Sequence, residues 1–393
     1  MRALSLSFRL AVLWCLALAL PGCIDPYMPD AISTTKSYLV VDGFINSRGS
    51  TSIKLSRTFD IDAKTAPPIE TRATLFIEEE GGTRYAVPET SVKGTYTSAS
   101  LTLNPAKNYR LSIRTSAGLE YASTFVPVKT TPPIDAVTWR PSENGLTIYI
   151  NTHDDTNTTK YYRWEYEETW EIKPPYYPQI EYKNGQMQDI TVPFPTICWG
   201  NSNSSEIKIS NTTRLTQDVV ADFPLRALPI TSDRLAYRYS ILVKQYAQTA
   251  EEYIHWDLLK RNTENIGTLF DPLPTQLTGN VQCLNNAAEL ALGYVGAHST
   301  EQKRIFISRT ELPRNWRVTN GYENCVPPDT VFLKNTRLDG IAALLQSNFS
   351  SPLYLPIDVL YLPTGRVSGY LAKSNDCIDC RTRGTAVKPS FWP

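Results

Sequence analysis

The sequence predicts a mainly β protein, and three observations carry that expectation. Short runs rich in β-branched and aromatic residues recur along the chain, Pro, Gly, Asn and Ser break it between them, and the clearest run, residues 161–172, repeats with a period of two. The expected architecture is an immunoglobulin- or transthyretin-like β-sandwich over residues 36–130, then a larger β-rich domain over 131–393 with one covering helix at about 249–265.

The first 22 residues read as a signal segment. Arg2 and Arg9 are its only charges, and the apolar run from Leu10 to Leu20 is too short to span a bilayer core of about 30 Å. It ends in Leu20-Pro21-Gly22-Cys23, which resembles a bacterial lipobox. That resemblance implies that Cys23 receives lipid, that the leader is removed and that the mature chain is held to a membrane by its acyl chains. Each buried CH₂ of such chains contributes about 0.8 kcal/mol. An ordinary cleaved signal that leaves Cys23 as a thiol is the alternative. Residues 23–35 contain two prolines and little periodicity, which suits an extended tether.

Strands are expected at residues 38–46, 51–57, 73–78 and 84–87, the last two flanking the hairpin signal Glu80-Gly81-Gly82-Thr83. Residues 94–96, 109–114 and 120–125 complete a small sandwich, and 126–133, with three prolines, reads as an interdomain linker. In the second region, Tyr162, Trp164, Tyr166, Trp170 and Ile172 fall on one face of a strand, and Arg163, Glu165, Glu167, Thr169 and Glu171 on the other. The first face suits a core and the alternating carboxylates suit a solvated surface. Residues 235–246 form a further strand. The helix should start at Thr249 with Glu252 reaching back in a capping box, place Tyr253, Trp256 and Leu259 on one face, and stop near Gly267.

Composition narrows the chemistry. Lys plus Arg (39) equals Asp plus Glu (39), so no net field draws the chain to nucleic acid. Three widely separated histidines give no metal pattern, and no nucleophile elbow, zinc-protease helix or phosphate-binding glycine loop occurs. Neither a catalytic residue nor a cofactor is expected. His153-Asp154-Asp155-Thr156-Asn157 could offer oxygens to calcium but lacks the remaining ligands, so a plain turn is favoured. Glu165, Glu167 and Glu171 could imitate a glycosidase acid pair, against the commoner solvated-face reading.

Besides Cys15 and Cys23, five cysteines remain: Cys198, Cys283, Cys325, Cys377 and Cys380. Arg381-Thr382-Arg383-Gly384 after Cys377-x-x-Cys380 offers no redox-active helix start, so a structural bridge is expected. Cys377 and Cys380 should be oxidised, to each other or to Cys283 or Cys325. Pro174-Pro175-Tyr176-Tyr177-Pro178 cannot be a central strand, which makes Tyr176 and Tyr177 the candidate contacts for a partner or ligand.

Cys23 with its tether, Tyr38-Leu39-Val40-Val41-Asp42-Gly43, Ile197-Cys198-Trp199, residues 239–246, Gln276-Leu277-Thr278-Gly279-Asn280-Val281 and the tail Cys377-x-x-Cys380-Arg381 to Phe391-Trp392 together resemble the Bacteroidota lipoproteins grouped as domain of unknown function 4249. The resemblance runs over essentially all of the chain after Cys23. It implies a lipid-anchored outer-membrane protein, exposed at the cell surface and partnered with a TonB-dependent receptor, and it carries over no catalytic residue. An independent glycan- or matrix-binding module and a hydrolase with an unrecognised site are the alternatives.

Overall fold

The computed structural model describes residues 37–59, 66–264, 279–333 and 338–393. The leader, Cys23, the tether and the expected helix stop at Gly267 lie outside the described residues. Mainly β architecture is what the chain adopts. In the Arg48–Arg57 strand Thr51, Ile53 and Leu55 are buried while Ser52 and Lys54 point outward, because successive strand residues face opposite sides of a sheet. One sheet of the first sandwich runs Leu39–Gly43, Arg48–Arg57, Thr95–Thr102, and the other Glu120–Ser123, Asn108–Arg114, Thr74–Glu79, Arg84–Ala86. Their inner faces share an apolar core that includes Leu39, Ile53, Leu75, Tyr96 and Leu111.

The expected domain boundary needs correction. Val281–Cys283 pairs with Glu120–Ser123, Ala291–Leu292 pairs in parallel with Leu39 and Val40, and Ala297–His298 pairs in parallel with Ile45–Asn46. Residues 131–393 are therefore not one continuous domain, since 281–298 return to complete the first sandwich and cover its sheet edges. Strands of two or three residues are too short to show a period, which hides this return from the sequence. Gly293 makes it possible. Its φ is +117°, and a Cβ there would sit 2.0 Å from the carbonyl oxygen of Val41. Buried Asn280 clamps the loop, donating to the Val295 carbonyl at 3.0 Å and accepting from the Val295 amide at 2.8 Å.

A second sandwich packs the sheet Ile134–Ser142, Gly145–Asp154, Asp218–Pro229 against a sheet of Cys198–Asn203, Tyr161–Ile172, Arg238–Ala247 and Thr300–Ser308. Tyr162, Trp164 and Tyr166 are in its core as their spacing predicts. Glu168, on that same face, is buried too, held by Arg226 at 3.2 Å, by Arg234 and by the Tyr239 hydroxyl at 2.8 Å. The segment between the sandwiches is pinned rather than loose. Thr131 donates its amide to Ser299 Oγ at 2.9 Å and accepts the Ala247 amide at 3.0 Å, while Gln245 donates to the Pro132 carbonyl at 2.8 Å.

A third, smaller unit adds to the expected picture. The hairpin Ile180–Lys183/Gln186–Asp189 and the strands Asp329–Phe332, Tyr354–Tyr361 and Val367–Ser374 gather with a second helix, Leu338–Phe349, around Leu345, Phe349, Tyr370 and Ala372. One disulfide joins the chain entering this unit to the chain leaving it, and a second ties the tail to the second sandwich. Cys325 bonds Cys377, and Cys380 bonds Cys198. Cys377 and Cys380 are thus both oxidised, but Cys283, expected as a possible partner, carries a free thiol on the first sandwich. The tail then crosses the second sandwich, where Trp392 is buried and donates to Glu171 at 3.1 Å.

Candidate functional site

The two sandwiches meet along the outward faces of two sheets, and a cavity of about 670 Å³ lies between them. One wall is the first sandwich. Val40 and Asp42 alternate with core residues on one strand, Ser52 and Lys54 on the next, and register sets Asp42 directly opposite Lys54. The facing wall is the odd-numbered face of the Tyr161–Ile172 strand with its neighbour, where Arg163 opposes Tyr246 and Glu165 opposes Lys244. The Ala250–Glu264 helix closes one end through Glu252, His255, Trp256 and Leu259, and Leu292, Gly293 and Tyr294 of the returning chain close another.

Arg163 organises the floor. Its guanidinium lies 4.3 Å from the centre of the Trp256 ring and 4.5 Å from that of Tyr246, with only 7% of the side chain exposed. Cation–π contact of this kind strengthens as water is excluded. Arg163 also pairs with Glu165, whose other oxygen accepts the Tyr246 hydroxyl at 2.9 Å. Burial opposes the Glu165 charge, but Arg163 and the Tyr246 hydrogen bond outweigh it and hold the carboxyl below its usual range. Lys244 pairs with Glu167 at 2.5 Å. Of the carboxylate face expected to be solvated, Glu165 opens into the cleft with 43% of its side chain exposed and Glu167 keeps 42%, while Glu171 is covered by the tail.

Behind Arg163 lies a fully buried junction. Thr249 caps the helix as its position in the sequence predicts, its Oγ1 accepting the Glu252 amide at 3.2 Å. The Glu252 carboxylate turns inward rather than back toward the cap. It lies 3.5 Å from His298 Nε2, in space left by Gly296, where a Cβ would come within 2.4 Å of Glu252. Burial again opposes the charge, and His298 first, then Arg163 and Gln248, keep the carboxyl below its usual range. Phe44 of the first sandwich stacks on His298 with ring centres 4.2 Å apart. His255, at the cleft end, has its pKa lowered by burial.

Of the residues singled out from sequence, few meet here. Tyr176 is not a free contact, because its hydroxyl donates to the Cys325 carbonyl at 2.7 Å and its ring packs on the disulfide cluster. Tyr177 is 51% exposed and is not part of the cleft lining. Asp154 spends its carboxylate on the amides of Thr156, Thr158 and Thr159, which makes the His153 segment a hydrogen-bonded turn. Among the described residues no three His, Cys, Asp or Glu side chains gather as a metal set, and no helix is long and apolar enough to cross a membrane. Sequence reading missed the cleft because its two walls come from segments far apart along the chain.

Fold and cleft together describe a β protein of two sandwiches with a recess between them. The family described as "Domain of unknown function (DUF4249)" matches residues 24–304, and the chain belongs to it. That match takes in the first sandwich, the cleft and most of the second sandwich, ending within the Thr300–Ser308 strand and before the disulfide tail that the sequence resemblance included. No curated protein matches. Among solved structures, the chain is similar to one titled "Complete structure of manganese lipoxygenase of Gaeumannomyces graminis and partial structure of zonadhesin of Komagataella pastoris", at 8% identity and a TM-score of 0.15, over 55% of this chain and 89% of that one. A likeness that weak carries no argument.

Proposed function

We propose that the protein is a non-enzymatic accessory lipoprotein, anchored through Cys23 to the outer membrane at the cell surface, that captures a ligand in the interdomain cleft for a TonB-dependent transporter. The cleft is the observation that carries the capture step. Its volume falls in the range of small-molecule sites, about 300–1,000 Å³, and it combines apolar walls with a few fixed charges. The lipobox-like Leu20-Pro21-Gly22-Cys23 supports the anchor, and the resemblance to Bacteroidota lipoproteins supports the partner.

Binding suits the cleft carboxylates better than hydrolysis does. Glycoside cleavage needs one carboxyl that stays protonated to act as an acid. Glu165 and Glu252 are both pushed the other way, toward the ionised form. The alternative of an adhesion module reading glycans through Tyr176 and Tyr177 keeps only Tyr177 as an exposed ring.

Isolation of the native protein from gently solubilised outer membranes tests this reading. A large β-barrel receptor is expected to co-purify, and Cys23→Ser should release the chain from the membrane. Recovery without any barrel partner overturns the reading.

A further inference from the structure

The strongest pattern in the cleft is a repetition of charge on its two walls. On the first sandwich Asp42 and Lys54 stand opposite each other across neighbouring strands, and on the second sandwich Glu165 and Lys244 do the same. All four line the cavity. With Arg163 and Glu252 added, the lining holds three Lys or Arg and three acidic side chains. The inner pair is already committed, Glu165 to Arg163 and Lys244 to Glu167. Among the described residues Asp42 and Lys54 form no side-chain hydrogen bond or ion pair, and both are exposed to the cavity.

We infer that the cleft recognises a dipolar ligand, a short peptide with a free amino group and a free carboxylate, which pair with Asp42 and Lys54 respectively. This deepens the capture reading above and rests on it. A wholly apolar ligand would strip water from these charges and return no hydrogen bonds, which is costly. A ligand with a single charge satisfies one of Asp42 and Lys54 and leaves the other unpaired and partly dehydrated. A molecule carrying both signs satisfies both with charge-assisted hydrogen bonds. The cavity is roomier than one amino acid needs, and Leu259, Leu292, Val40 and Tyr294 supply apolar wall for side chains between the two ends. Sugars compete less well, because Trp256 and Tyr246 each give a ring face to Arg163 rather than to a pyranose.

Calorimetric titration of the full-length protein in detergent tests this with three probes: the tripeptide Ala-Tyr-Ala with free ends, the same peptide acetylated and amidated, and maltotriose. The free tripeptide should bind, and blocking its ends should weaken binding by about tenfold or more. Asp42→Asn and Lys54→Met should each weaken the free peptide about tenfold and leave the blocked one unchanged. Both side chains are outward-facing, so the melting temperature should stay where it is. Equal affinity for free and blocked peptides, or maltotriose bound better than the free peptide, overturns the ligand class. That second result would leave the capture reading standing, whereas absence of a barrel partner in the membrane isolation removes the capture reading whatever the titration shows.

Discussion

The two sandwiches share an architecture and differ in what holds them. The first is built around an apolar core, from Leu39 to Ala297, and its one described cysteine is free. The second buries charge beside its apolar core. Glu168 sits among Arg226, Arg234 and Tyr239, Glu252 faces His298, and the Cys198–Cys380 disulfide fastens the tail to its sheet. Removing one partner of a buried ionic cluster leaves an uncompensated charge, so such clusters punish change more than they reward formation. The first sandwich thus acts as a supporting block, while the second fixes the orientation of specific polar groups, including Arg163 on the cleft floor.

Glu168 gives the most severe test of this contrast. Glu168→Ala strands two guanidinium groups and should destabilise the protein by about 3–5 kcal/mol in chemical denaturation. A value below that of an ordinary surface change would show that the cluster is solvated and the contrast false. Next come the bridges. Cys198→Ser should cost about 2–5 kcal/mol, and a reductant should lower the melting temperature of the wild-type protein toward that of the variant. Cys283→Ser should leave the melting temperature unchanged.

Acid should also separate the regions. Glu165 and Glu252 have folded pKa values below their unfolded ones, so the stability they contribute is present above the ordinary carboxylate range and is lost as pH falls through their folded values. Denaturation midpoints should therefore drop as pH falls below the ordinary carboxylate range, and Glu252→Gln should flatten part of that drop. A profile identical to wild type would place the Glu252 charge elsewhere. The smallest destabilisation is at the helix cap, where Thr249→Ala should cost about 1 kcal/mol.

Much of the fold was legible where periodicity is strong. Tyr161–Ile172 announces its buried face through Tyr162, Trp164 and Tyr166, and the Gly81-Gly82 hairpin is written in its turn residues. Glu168 was not legible, because a carboxylate on an apolar face reveals its partners only after Arg226 and Arg234 arrive from other segments. Bridge connectivity was half legible. The Cys-x-x-Cys spacing marks oxidised residues, but it does not choose their partners among five cysteines, and Cys198, the partner of Cys380, lay outside the expected set. The cleft was illegible for a further reason: its charged pairs are cross-strand neighbours, and register is a property of the folded sheet.

The returning loop also dictates an order of assembly. A ribosome, or any channel that passes the chain N-terminus first, presents residues 39–123 long before Val281–Cys283 and Ala291–Leu292 exist to pair with them. The leading sandwich must wait with two open flanks while most of its successor, every strand but Thr300–Ser308, is delivered, so the molecule closes its beginning only after much of its second half has arrived.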